Sequence, residues 1–142
     1  MKEQNFKNHT QYVPGFHMVG YTLLLAFLIG SIRALIRADD SSRYTASLLV
    51  LAAVLFLILF WYSRAFALKA QDRAIRAEEN FRHFLLSGKP LDKKLRLSQI
   101  IALRFASDEE YLELAKKAVA ENLSSKEIKQ SIRNWKADHH RV

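Results

Sequence analysis

The chain has 142 residues, half of them hydrophobic, with 22 Lys plus Arg against 14 Asp plus Glu and a formal net charge of +8. That length suits a pair of membrane helices with one small soluble unit and is too short for an inverted-repeat transporter. Cysteine is absent, which excludes disulfides, iron–sulfur clusters, thiolate zinc sites and cysteine nucleophiles.

Residues 1–15 read as a cytoplasmic or interfacial tail. Pro14-Gly15 can turn the chain, and Asn8-His9 with Tyr12 to His17 supplies rings and polar groups suited to an interface or to docking a partner. Lys2 and Lys7 ahead of an apolar run imitate a secretory signal. The polar lead is long for that role, no small-x-small cleavage site follows, and a second apolar run comes at once, so retention of the segment is expected.

Met18 to Ile32 and Thr45 to Trp61 contain no Asp, Glu, Lys or Arg. Extended to Phe16 and to Tyr44 and Tyr62, they give roughly 25–29 Å of helix at about 1.5 Å per residue, close to the ~30 Å hydrocarbon core of a bilayer. The expected architecture is all-α, with a transmembrane hairpin whose spans cover about 16–37 and 44–63. Phe16, His17, Tyr44, Trp61 and Tyr62 fall at the ends of the spans, where interfacial anchors collect. Thr22, Ala26, Gly30 and Ala34 recur every four residues and line a shallow groove on the first span. That groove either seats the second span or serves self-association.

The connector carries Arg33, Arg37 and Arg43, whereas Lys2, Lys7, Arg64, Lys69, Arg73, Arg76 and Arg82 flank the outer ends. The positive-inside rule therefore places both termini in the cytoplasm. Ionisable residues are missing from the middle of both spans, which argues against a pore or proton path.

Past the second span the soluble half is basic, with 17 Lys plus Arg against 11 Asp plus Glu from Arg64 onward. No Gly or Pro interrupts Tyr62 to Ser87, so the helix is expected to continue over 64–87. Phe66, Ala70, Ala74, Ala77, Phe81 and Phe84 form a stripe at steps of four and three, which suits a core or a partner surface. Ser87-Gly88-Lys89-Pro90 should end it, with Gly88 as a left-handed cap. A helical C-terminal domain over 88–142 follows. Asp92 is a plausible N-cap for a helix over about 92–106, although Leu95 to Phe105 is apolar enough to leave a strand open. Ser107 to Glu110 has the Ser-x-x-Glu capping box of a helix over 108–122. Ser124 to Glu127 repeats it for one over 125–137, with Leu123 and Ile128 at the staple positions and Ile128, Ile132 and Trp135 as one stripe.

Candidate chemistry is sparse. Asp108, Glu109, Glu110 and Glu113 cluster where negative charge complements a helix dipole, which explains them without catalysis. His139 and His140 are adjacent, and no acidic group at ligand spacing joins them. Lys126, Lys129, Arg133 and Lys136 imitate a helix-turn-helix, but basic residues on a solvated face are commoner and a bilayer tether argues against nucleic acid. Lys89, Lys93, Lys94 and Arg96, interleaved with leucines, could meet anionic headgroups. No catalytic, cofactor or metal constellation is visible.

Gln4 to Thr10 leading into Tyr12 to His17, Leu103 to Glu110, and Lys126 through Trp135 to Val142 together resemble an uncharacterised family of short two-span bacterial membrane proteins, a domain of unknown function. The resemblance implies an inner-membrane address and carries over no catalytic residue. The expected role is a non-enzymatic scaffold, adaptor or regulator acting through the helical domain, as a homo-oligomer or with an unidentified membrane protein. A small accessory subunit of a transport complex and a membrane-tethered nucleic-acid-binding regulator are the alternatives.

Overall fold

The structure is a computed structural model that describes residues 4–6, 8–9 and 12–138; Lys2, Lys7, His139 and His140 lie outside them. Among the described residues the regular elements are all helical: a π-helical turn Gly15–Gly20, α1 Tyr21–Ile36, α2 Arg43–Ser87, α3 Leu97–Leu103, α4 Asp108–Ala120 and α5 Ser125–Ser131. They form two compact units, Tyr12–Ala67 and Leu68–Val142 with Met1–Gln11.

In the first unit, Leu24, Leu28, Ser31 and Leu35 are the more buried residues of α1, and Ala46, Val50, Ala53, Leu57 and Phe60 are among those of α2. Both sets follow steps of three and four, the spacing that keeps one helical face on a neighbour. Buried Ser31 satisfies its hydroxyl on Leu28 O at 2.9 Å. The rings of Phe16 and Phe60 stack at 4.0 Å, and those of Phe27 and Phe56 lie 6.2 Å apart. Gly20 leaves room for the Phe60 ring: a Cβ there would sit 2.6 Å from it and would have to displace it. Between the helices, Asp39 Oδ1 accepts from Ser42 N at 2.9 Å and Ser41 Oγ at 3.0 Å, and it also accepts from Ser42 Oγ. These donors hold the Asp39 carboxyl below its ordinary range.

The second unit closes around Leu103, Phe105, Ala106, Tyr111, Ala118 and Ile128, all buried. Gly88, at φ 71°, ends α2 as the sequence suggests, and its N–H returns to Phe84 O at 2.8 Å. The helix expected over 92–106 is shorter, because Asp92 spends its carboxylate on Lys94 N at 2.9 Å in a local turn. That turn delivers Leu91 and Leu95 to the core. Helix α3 then begins where Gln99 Oε1 accepts from Arg96 N at 2.7 Å. It stops before Ala106, which pairs in antiparallel fashion with Trp135.

Two further expectations change for one reason. Ser107 is the N-cap of α4 but its side chain makes no capping bond, because Glu110 reaches instead to the N–H groups of Arg133 at 3.1 Å and Asn134 at 3.0 Å. Those captured donors end α5 at Ser131 and turn Ile132 to extended geometry, so the chain over 132–138 is not helical. Ile128, Ile132 and Trp135 still reach the core, but from a helix and an extended strip rather than from one helical face.

The Ser124 box forms as the sequence indicates. Glu127 N donates to Ser124 Oγ at 3.3 Å and Ser124 N to Glu127 Oε2 at 2.7 Å, which also lowers the Glu127 pKa. Replacing Ser124 by alanine is expected to cost about 1 kcal/mol, measurable as a shift in the unfolding midpoint of the second unit.

Candidate functional site

A buried polar cluster organises the second unit. The face of α2 turned to its core carries Ile75, Glu79 and Arg82, not the phenylalanine stripe. Arg82 donates from Nε to Asp108 Oδ1 at 2.7 Å, from Nη2 to Ala106 O at 2.7 Å and from Nη1 to Glu79 Oε2 at 3.3 Å. Its guanidinium lies 4.4 Å from the Tyr111 ring centroid, and Tyr111 OH donates to Glu79 O at 3.1 Å. Burial raises the Glu79 pKa against the pull of Arg82, and burial likewise raises that of Tyr111. One guanidinium thus serves two carboxylates and a carbonyl. This arrangement clamps α2 to the start of α4.

Gln99 does comparable work at the other end. It is 2% exposed, and its Nε2 donates to Leu123 O at 2.7 Å and to Ala118 O at 3.4 Å, tying α3 to the α4–α5 turn. Residues 4–6 and 8–9, read from sequence as tail, belong to this unit as a strap. Gln4 exchanges hydrogen bonds with the backbone of Asp138, accepting from its N–H at 2.8 Å and donating to its carbonyl at 3.5 Å. The His9 ring lies 5.8 Å from both Phe105 and Trp135. His9 Nδ1 is 2.8 Å from Phe6 O and Nε2 is 3.1 Å from Lys129 Nζ, so the ring donates at Nδ1 and accepts at Nε2.

The predicted site residues are distributed unevenly. Thr22, Ala26, Gly30 and Ala34 are all exposed, and nothing lies within 4 Å of a Cβ built on Gly30, so the groove does not seat α2. Among the expected anchors, Tyr44, Trp61 and Tyr62 are exposed, whereas Phe16 packs on Phe60 and His17 stacks on Tyr12 at 4.8 Å. The four residues of the headgroup quartet, Lys89, Lys93, Lys94 and Arg96, are all exposed, and Arg96 also donates to Leu123 O at 3.3 Å. Phe66 is exposed, and Phe81, Phe84 and Leu85 stand 62%, 51% and 68% exposed on the outer face of α2. In the acidic cluster, Asp108 pairs with Arg82 and Glu110 holds backbone N–H groups, leaving Glu109 and Glu113 exposed. The stretch that imitates a recognition helix is the seven-residue α5, with Lys129 occupied by the strap.

Across this whole arrangement, residues 1–142, the chain matches one family profile. It belongs to DUF6526, a family of unknown function. No curated protein and no solved structure matches it. The buried clamp, Gln99 and the strap escape a reading based on apolar periodicity. Glu79 and Arg82 were visible only as an i, i+3 ion pair, a spacing common on solvated helix surfaces.

Proposed function

We propose that this DUF6526 member is a two-span protein of the bacterial inner membrane, with both termini cytoplasmic, and that it presents its helical unit as a non-enzymatic scaffold or regulator for a partner protein. One observation carries the membrane reading. The most apolar 18-residue windows of the two long helices are only 6% and 11% buried. A core helix of a soluble protein would be mostly covered, and an outward-facing apolar surface of this size suits a lipid surround. The antiparallel sense of the ring contacts Phe16–Phe60 and Phe27–Phe56 supports a hairpin. The strap supports an even number of crossings, because it ties residues ahead of the first span to the unit that follows the second. The exposed Phe81, Phe84 and Leu85 supply the partner-facing surface.

Topology is testable against a cysteine-free background. Ser41→Cys in the connector leaves the Ser42–Asp39 bonds in place. It should react with a membrane-impermeant maleimide on intact cells, whereas Glu113→Cys on α4 should react only after lysis. The opposite pattern rejects the orientation, and release of the full-length protein by alkaline carbonate rejects membrane insertion.

A further inference from the structure

A cleft of about 430 Å³ opens on the second unit between α2 and the loop that leads to α3. Its floor is apolar, formed by Leu91, Leu95 and Ile100, all buried, with Ala77 beside them. Its rim carries Arg73, Arg76 and Lys93, with Asp92 as the one carboxylate among the lining residues. Among the described residues none of these three cations forms an ion pair. Acidic helical neighbours do not pair with them: Glu79, three residues after Arg76, is buried on Arg82; Asp72, four before Arg76, forms no ion pair among the described residues and does not line the cleft; and Lys69 stands four before Arg73. Arg73 and Arg76 are themselves an i, i+3 like-charge pair, which disfavours the empty helix surface slightly. Asp92 is engaged with the N–H of Lys94.

Asn80 adds a neutral donor to the same helix face, four residues after Arg76. Its Oδ1 accepts from Leu91 N at 3.0 Å, which fixes the amide orientation and leaves Nδ2 with no partner among the described residues. The lining thus has a charge surplus of two, unspent N–H donors and an apolar floor. A carboxylate would balance half of that surplus. A phosphate monoester, with about −1.5 to −2 charge and three strong acceptor oxygens, matches it.

We infer that the cleft lined by Arg73, Arg76, Asn80 and Lys93 binds a phosphate monoester whose organic part lies on Leu91, Leu95 and Ile100. The phosphate can come from a lipid headgroup or from a soluble phosphoester, and the site does not depend on the scaffold reading.

The test uses the full-length protein in neutral detergent, titrated by calorimetry with dihexanoyl phosphatidic acid, glycerol 3-phosphate and dihexanoyl phosphatidylcholine. Saturable binding of the phosphatidic acid is expected, weakened at least about tenfold, or roughly 1.4 kcal/mol, in Arg73→Gln/Arg76→Gln and again in Lys93→Gln. A Lys116→Gln/Lys117→Gln variant, with equal charge loss on α4, should bind as the parent does. Glycerol 3-phosphate binding as tightly as the lipid identifies a soluble ligand, and binding at least tenfold weaker identifies a lipid headgroup. The arginines are exposed, so unchanged thermal unfolding is expected to accompany the loss. Absence of saturable binding, equal binding of phosphatidylcholine, or indifference to the arginine substitutions overturns the proposal.

Discussion

Arg82→Ala is expected to destabilise the helical unit by about 3–5 kcal/mol, the range for removing one partner of a buried ion pair. The Arg82 side chain is 12% exposed and that of Glu79 9%, so the substitution leaves a carboxylate in the core with its cation gone. It also frees Ala106 O and uncovers the Tyr111 ring. A unit of this size has a total stability on the order of 5–15 kcal/mol, so the loss is a large share of it. Adding Glu79→Gln to Arg82→Ala should recover part of the deficit, because a neutral amide costs less to bury than an unpaired charge. If the double variant is no more stable than the single one, the carboxylate is not the source of the cost.

The same pair sets a pH dependence. The folded-state pKa of Glu79 is raised above its ordinary 4.5, so between those two values the folded chain holds a proton that the unfolded chain has released. Stability therefore falls as pH rises from 4.5 through the folded value and is level above it. Urea titrations across that window should show the slope in the parent and its loss in Glu79→Gln. Arg82→Ala, which removes the opposing attraction, should steepen it.

Local chemistry was legible at two helix ends whose deciding partners are close in sequence. Gly88 ends α2 and Ser124 caps α5 because each needs only groups within four residues. Ser107 and Glu110 present the same box pattern and do not form it. Glu110 finds the N–H groups of Arg133 and Asn134, 23 and 24 residues away, and no local rule anticipates a distant donor. Of the two roles left open for the phenylalanine stripe, core or partner surface, the core one is not taken, for a related reason. Periodicity tells which residues share a face, not which face is covered, and here the covered one carries Glu79 and Arg82, whose charges are satisfied only in the folded unit. The small-residue groove of α1 shows the same limit: its spacing is correct for close helix approach, yet Leu24, Leu28, Ser31 and Leu35 are the residues turned inward.

Phe105→Ala is expected to cost about 3–5 kcal/mol, combining lost transfer energy with the cavity left behind. Phe105 is fully buried; its ring lies 5.1 Å from Trp135 and 5.8 Å from His9, and the Arg104 guanidinium carbon stands 4.6 Å from its centroid. The indole and imidazole cannot follow the missing ring inward without breaking other bonds: Trp135 is held by the Ala106 bridge, and His9 by Phe6 O and Lys129. The strap should therefore loosen together with the core. Hydrogen exchange checks this at two amides, Asn8, which bonds to Asn5 O at 3.2 Å, and Asp138, which bonds to Gln4. Both are expected to exchange faster in Phe105→Ala. Gln4→Ala should speed exchange at Asp138 while leaving the global unfolding free energy within about 1.5 kcal/mol of the parent, the worth of one good hydrogen bond, because the second, from Gln4 to the Asp138 carbonyl, is long at 3.5 Å. A core substitution that lowers global stability with Asn8 still protected would mean that the strap holds to the C-terminal strip on its own. In that case the end of the chain ahead of α1 is tethered by Gln4 and Asp138, not by the aromatic cluster.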